Sequence, residues 1–479
     1  MSKKFYITTT LPYVNADPHI GFALEIIQAD VIARYRRGLG EEVFFNTGTD
    51  EHGLKIFQGA KTENIDPQKY CDIYADKNKK LKETLNLSYN NFIRTTDEHH
   101  IKSAQNFWNK CYENGDIYKK KYKIKYCVGC ELEKTESELI DGKCPIHPNR
   151  EVEIIEEENY FFKYSKYQKE LLSFYKKNKN FVVPSSRFNE IKEFTKRGLE
   201  DFSISRLKEK MPWGVQVPND ENHVMYVWFD ALVNYISALG WPEDSKRFKD
   251  FWPGLQVAGK DNLRQQSSMW QAMLLSAGLL NSRQVFIHGF IMANGQKMSK
   301  SLGNVVDPFE LVNKYGVDAV RYYLLREIPS SEDGDFSIEK FELRYNSDLA
   351  GGIGNLVARV LGIAGGKIFE SKYSKRTKQK VETVKKSYKL ALGNFKFNEA
   401  LFAVWELISY CDKYINDQKL WETPPVDGQA KKMEAIRDLF FALSEISSLL
   451  APFLPETSEK IKQAVETGKK ENLFPRLIK

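Results

Sequence analysis

The chain is poor in several things, and each shortage excludes a class of protein. No apolar run approaches the ~18 residues of a membrane-spanning helix, and mean hydropathy is −0.49, so a membrane-embedded protein is excluded. The start, Met1-Ser-Lys-Lys-Phe-Tyr-Ile, offers neither the apolar stretch nor the small-residue cleavage site of a secretory leader. No solenoid-length repeat or sizeable low-complexity tract is present. Net charge is small: 71 Lys and Arg against 64 Asp and Glu leave +7, which permits a nucleic-acid partner without implying one. Cysteine is scarce, 6 in 479 residues, too few for a disulfide framework. What remains is a cytoplasmic chain of 55.5 kDa, long enough for about three domains. Its 24 Tyr and 30 Phe argue against general disorder.

The N-terminal stretch reads as one parallel crossover unit, strand, helix, strand. Phe5-Tyr-Ile-Thr-Thr is the first strand. Asp17 is the expected N-cap, with Pro18 in the first helical turn. Ile20, Ala23, Leu24, Ile27, Val31 and Ile32 recur at helical spacing until Gly38 and Gly40. Glu42-Val-Phe-Phe-Asn then runs into Thr47-Gly-Thr-Asp-Glu-His-Gly53. Two further strands are expected at Leu255–Ala258 and Val285–His288. Each of the four candidate strands hands over to a polar, Gly-containing loop, and in open parallel sheets that carboxyl edge is where ligands bind. Between them the texture changes to basic, Cys-bearing, acidic and aromatic stretches, an insertion over 116–224. After about 345 the strand signals fade. Leu401, Val404, Trp405, Ile408, Cys411 and Ile415 form one helical stripe, and Met433, Ile436, Phe440, Leu443, Ile446 and Leu450 another. The expected fold is therefore an α/β, Rossmann-type parallel sheet in two halves, 1–115 and 225–322. The insertion splits these halves, a connecting region follows at 323–345, and a helical bundle occupies 346–479.

Two segments carry candidate chemistry. In Pro18-His-Ile-Gly21 a helix N-terminus presents unpaired amides suited to phosphate. His19 adds a donor, and Gly21 removes bulk. Alone, the four residues read more readily as a capped helix with an exposed His. Lys297-Met-Ser-Lys-Ser301 follows the turn Asn294-Gly295; it is a cationic loop suited to a transient pyrophosphate, or else a solvated basic loop. A third segment is independent of both. Cys127-x2-Cys130 and Cys144-x2-His147 supply three thiolates and an imidazole, a complete tetrahedral set for structural zinc with no position left open for substrate.

Both signature segments, in this order on one sheet edge, resemble the paired motifs of class I aminoacyl-tRNA synthetases. Leu11-Pro-Tyr13, Thr49-Asp-Glu-His-Gly53 and Val227-Trp-Phe-Asp-Ala-Leu232 look like the methionine-specific branch. The resemblance implies ATP-dependent activation of L-methionine and its transfer to tRNA(Met), with Mg2+ accompanying ATP. It places His19, Gly21, Gly259, Lys260, Asp261 and Lys300 at ATP, with Lys297 supporting the loop. His19, Lys297 and Lys300 are the expected catalytic residues. It places Leu11, Tyr13, Asp50, Trp228, Leu232, Tyr235, Asn262 and Gln266 around methionine, Asp50 pairing with the α-ammonium. It matches Asn355, Arg359 and Trp421 to anticodon contacts, and puts the zinc knuckle near the tRNA acceptor end. Three positions depart from the pattern. Phe22 stands where a second His is usual, and Asn262 and Gln266 stand where an Ile and a His usually line the pocket. The rival readings are another class I synthetase, which would generally carry a longer insertion, and a tRNA-binding paralogue without catalysis. A monomer is expected.

Overall fold

The computed structural model describes residues 3–130, 132–134, 138–298, 304–369, 373–422, 425 and 428–477. Its centre is a parallel sheet of six strands: β1 (Lys4–Thr8), β2 (Glu42–Thr49), β3 (Asn91–Arg94), β4 (Val182–Val183), β5 (Leu255–Gly259) and β6 (Gln284–His288). They lie in the order β3-β2-β1-β5-β6-β4. The four strands expected from sequence are all present, and their register is parallel throughout, with Tyr6 opposite Phe44 and Ile7 opposite Leu255. The structure adds β3 and β4 at the two edges. β4 is two residues long and comes from within the 116–224 stretch, so that stretch contributes to the sheet as well as departing from it. A two-residue strand carries too little alternation to be seen in sequence.

The order reverses between β1 and β5, which makes the crevice beyond their carboxyl ends a switch point. Helix α1 (Ile20–Gly38) crosses from β1 to β2. Its N-cap is His19, a correction to the expected Asp17: the His19 side chain accepts the Gly21 amide, while Asp17 pairs with Lys77 at 2.5 Å. A Cβ on Gly21 would stand 2.8 Å from the His19 ring, so glycine there is what lets this histidine cap its own helix.

Both sheet faces are covered. Phe5, Ile7, Phe45 and Val257 face α1 and the helix Val317–Arg326 in a core that continues into the C-terminal helices. Tyr6, Ala258 and Val285 face a second core with Phe107, Phe229, Tyr235 and Trp270. The Phe286 ring on β6 stacks on Phe395 at 4.7 Å, joining the sheet to the helical region. That region comprises helices Asn355–Ala364, Lys375–Gly393, Phe397–Asp417, Gln429–Leu450 and Pro455–Thr467. The stripe from Leu401 to Ile415 is buried apart from partly exposed Trp405, and that from Ile436 to Leu450 is buried, whereas Met433 is exposed.

The insertion is built on a long antiparallel hairpin, Ile117–Cys127 against Glu153–Phe162. Its Lys-rich and Glu-rich strands face each other, with Lys121 opposite Glu158 and Lys123 opposite Glu156. Opposite charges directly across an antiparallel pair favour this register.

Candidate active site

The loops after β1 and β2 run side by side. Asp50 donates its amide to Pro12 O at 3.0 Å, and its carbonyl accepts from the Val14 amide at 3.2 Å. This pairing sets Leu11 and Tyr13 beside the buried Asp50. The Tyr13 hydroxyl donates to His52 O at 2.6 Å, and Trp213 Nε1 donates to Glu51 O at 2.6 Å. Glu51 is itself fully buried and takes two bonds from Arg94, at 2.7 and 2.8 Å. The loop that carries Asp50 is therefore held from both sides.

Trp228 and Leu232 lie on the short helix Val227–Leu232, and Tyr235 follows on the next turn. Tyr235 is buried, and burial pushes its phenol far up, so the hydroxyl keeps its proton. Gln266 Nε2 donates to that hydroxyl at 2.6 Å, which leaves the phenolic O–H to point elsewhere. Gln266 thus pairs with Tyr235. Asn262 is different: its amide donates to Asp261 Oδ1 at 3.2 Å, which groups it with the turn after β5 that the resemblance assigns to the nucleotide. Gly259 ends β5, and a Cβ there would come within 2.7 Å of Asp261 Oδ1. Lys260 is held by Asp333 at 2.6 Å.

His19 stands at the mouth of this edge. Its Nδ1 accepts the Gly21 amide at 3.1 Å, so the neutral ring carries its proton on Nε2, the nitrogen left to donate. Partial desolvation lowers its pKa, against an opposing pull from Asp261. Lys297 lies in a hairpin around Asn294-Gly295, its backbone opposite Met292. Both turn residues have positive φ, 53° and 73°, the conformation an Asn-Gly turn supplies. Lys300 lies outside the described residues. Downstream of it, Val306 O accepts the Ile20 amide at 3.1 Å, so the chain five residues past the second signature segment meets the first turn of α1, next to His19.

Two buried hubs escaped sequence reasoning. Asp230 accepts His52 Nδ1 at 2.6 Å and His100 Nε2 at 2.8 Å. Burial, the largest influence, pushes Asp230 up, but the two histidines reverse it and hold it at about 2. Glu25 accepts the Thr10 amide and hydroxyl at 2.8 and 2.5 Å and meets His288 Nε2 at 2.9 Å. The available signal was scarcity: of 7 histidines, His19, His52, His100 and His288 all come from segments that build this edge.

The cysteine cluster forms as its spacing predicts. One ligand atom each from Cys127, Cys130, Cys144 and His147 lies within 4.8 Å of all the others. Cys130 Sγ is 3.3 Å from Cys144 Sγ and 3.2 Å from His147 Nδ1. A tetrahedron of metal bonds near 2.3 Å has edges of about 3.8 Å, so these four atoms fit a metal ion. A Cβ on Gly129 would fall 2.4 Å from the His147 ring, which explains the glycine between the first two ligands. Gly129 O accepts Lys55 Nζ at 2.6 Å, tying the knuckle to the helix Leu54–Thr62 beside the Asp50 loop.

Far along the chain, Arg359 and Trp421 line one open cavity of about 390 Å³ with Ile363, Ile415, Leu420 and Lys432. Arg359 is fixed by Asp412 at 2.8 Å and Asn416 at 2.7 Å. Trp421 is 57% exposed. Asn355, also exposed, sits one helical turn before Arg359.

Comparison with known proteins bears on this arrangement. Residues 5–151 and 130–361 match the family described as tRNA synthetases class I (M), and 375–476 match the anticodon-binding domain of tRNA ligase. A methionine–tRNA ligase of Thermotoga maritima is 43% identical over 98% of this chain and 77% of its own length. One from Clostridium perfringens is 41% identical over 97% of this chain and 74% of its own. Among solved structures, Mycobacterium tuberculosis methionyl-tRNA synthetase in complex with methionyl-adenylate superposes with a TM-score of 0.91 at 36% identity, covering 99% of both chains. Its apo form gives 0.87 at 33% identity, covering 100% of this chain and 99% of that one. On these matches the chain belongs to the methionyl-tRNA synthetases, a family of the class I tRNA synthetases.

Proposed function

We propose that this chain activates L-methionine with ATP to methionyl-adenylate, then transfers the methionyl group to the 3′-terminal ribose of tRNA(Met), releasing AMP and pyrophosphate. The observation that carries the reading is the Ile20 to Val306 bond. It brings the chain beyond the second signature segment to the first turn of α1, where the first segment lies, at the switch point of the sheet, and so supports a rim shared by the two.

The substrate carboxylate is itself the nucleophile, so the protein's work is alignment and neutralisation of developing charge. Asp50 takes the α-ammonium, a carboxylate at a strand end meeting a cation. Leu11, Tyr13, Trp228, Leu232 and Tyr235 receive the thioether, which gains about 0.3–1.5 kcal/mol from a well-placed aromatic. Gln266 orients the Tyr235 hydroxyl. The carboxylate oxygen attacks the α-phosphorus, and magnesium pyrophosphate leaves in line. His19 donates from Nε2 to phosphate, Lys300 stabilises the same charge and Lys297 supports the loop, with Gly21, Gly259, Lys260 and Asp261 around the nucleotide. Zinc held by Cys127, Cys130, Cys144 and His147 would stabilise the fold of the knuckle; four protein ligands leave it no catalytic position. Asn355, Arg359 and Trp421 read the anticodon, Trp421 by stacking a splayed base. In domain terms, 1–115 and 225–322 form the catalytic unit, 116–224 the knuckle-bearing insertion, 323–345 the connection and 346–479 the anticodon reader. The reading includes a cytoplasmic monomer; among the described residues no helix is long and apolar enough to cross a membrane.

The test is exchange of labelled pyrophosphate into ATP with each standard amino acid in turn. Methionine alone is expected to drive it, and Lys300→Ala or His19→Ala to depress exchange far more than methionine binding. Exchange driven by another amino acid, or by none, refutes the proposal.

A further inference from the structure

The contacts of His288 determine the charge of a group that the mechanism above leaves unused. This residue ends β6, buried, with both ring nitrogens occupied. Nδ1 lies 2.8 Å from Gly289 O, and Nε2 lies 2.9 Å from Glu25 Oε2. A carbonyl oxygen only accepts, so Nδ1 must carry a hydrogen. A neutral imidazole would then have a bare Nε2, a lone pair facing a carboxylate oxygen. The other oxygen of that carboxylate, Oε1, already accepts two hydrogen bonds from Thr10, which stabilises the ionised form. The arrangement is satisfied when a proton sits on each ring nitrogen and Glu25 is ionised.

We infer that His288 is a resident imidazolium, locked to Glu25, and that the pair is a positioning device for the nucleotide side of the site. The inference rests on the proposed activity for its substrate. Its geometry joins four pieces of the rim: Glu25 on α1, Thr10 after β1, His288 after β6, and the end of β5, where a Cβ on Gly259 would stand 3.7 Å from the His288 ring. The pair thereby ties α1, which opens at the first signature segment, and the Thr10 loop to the end of β6, beside the end of β5. The charged groups that face it agree in sign. Burial pulls the His288 pKa down, but the hydrogen bond and charge of Glu25, the Gly289 carbonyl and Asp261 together raise it. Tyr235, which also feels Glu25, stays protonated and neutral. Because the folded pKa is raised, the interaction is complete below the free-histidine value and is lost as pH rises through the folded one.

Glu25→Gln separates charge from shape. The amide oxygen still accepts from Thr10, and the amide N–H donates to a neutral His288 Nε2, so every hydrogen bond survives while the ion pair does not. The full-length chain, labelled with 15N-histidine, is titrated by NMR, with His288→Gln used to assign the signal. Two protonated ring nitrogens are expected on His288 at pH 7.5 in the wild type, and a singly protonated ring in Glu25→Gln. In pyrophosphate exchange, kcat/KM for ATP should fall about tenfold or more in Glu25→Gln at pH 7, with KM for methionine unchanged within about twofold. A wild-type ring that is neutral at pH 7.5, or equal ATP kinetics in the variant, overturns the inference. The NMR readout does not depend on activity, so loss of the functional reading would show separately, as a wild-type chain with no exchange at all.

Discussion

Replacing Arg321 by Met should loosen the junction between the parallel sheet and the C-terminal helices. Arg321 is fully buried. It bonds Asp30 Oδ2 on α1 at 2.8 Å, Leu85 O at 3.0 Å, and the Pro452 and Phe453 carbonyls at 3.0 and 2.7 Å. Methionine fills much of the stem volume but offers no donor. Removing one partner of a buried ion pair costs about 3–5 kcal/mol, because the other charge stays desolvated. Asp30 keeps Arg34 at 2.8 Å and two bonds from Ser88 at 2.6 Å, which argues for the lower end. Three carbonyls lose their donor as well, which argues for the middle of that range over its floor. A total near 4 kcal/mol is therefore the expectation. A chain of several domains does not unfold in two states, so a single melting temperature is the wrong readout. Hydrogen exchange is the right one, since it reports the free energy of local opening. Amides in 317–326 and 450–458 should exchange roughly a thousandfold faster in Arg321→Met, while the knuckle at 127–147 keeps its rate. Arg321→Lys, which retains charge but not the fork of donors, should fall between. An acceleration under about fivefold, equivalent to roughly 1 kcal/mol, would refute the reasoning.

Three other outcomes are expected. Trp421→Ala should lower kcat/KM for tRNA charging by about ten- to a hundredfold, from the 1–3 kcal/mol of one lost stack, and leave methionine-dependent pyrophosphate exchange at the wild-type rate. Cys130→Ser should reduce zinc content, measured by atomic absorption, and open 128–150 to protease while α1 stays protected. Asp230, held at about 2 against an unfolded value near 3.9, contributes stability that is complete above the unfolded value and is lost as pH falls through the folded one. The gap between wild type and Asp230→Asn in the free energy of local opening, measured by hydrogen exchange of the amides in 227–237, should be about 2 kcal/mol wider at pH 7 than below pH 2.

The site was legible in uneven degrees. The Cys127–His147 set was readable because its four ligands come from one local segment, where spacing alone constrains geometry. The signature segments were readable because a parallel sheet sends the ends of β1, β2, β5 and β6 to one edge whatever the loop details. Helix-cap chemistry was misread at Asp17, because a side chain two residues later could fold back once Gly21 left room. The edge strands β3 and β4 were missed because four and two residues carry no usable periodicity.

Sequence by itself determined the chemistry: which side chains are present, in what local spacing, on which kind of element. It determined the α/β class, the knuckle, the helical third and the two signature segments. Tertiary structure alone decided which distant groups became partners. The pairs Glu25–His288, 263 residues apart, Asp230–His52, 178 apart, and Asp30–Arg321, 291 apart, leave no local trace, because a polar residue's type says that it needs a partner once buried but not which segment will bring one. The packing of α1 and of the helix Val227–Leu232 onto opposite faces of one sheet settled that.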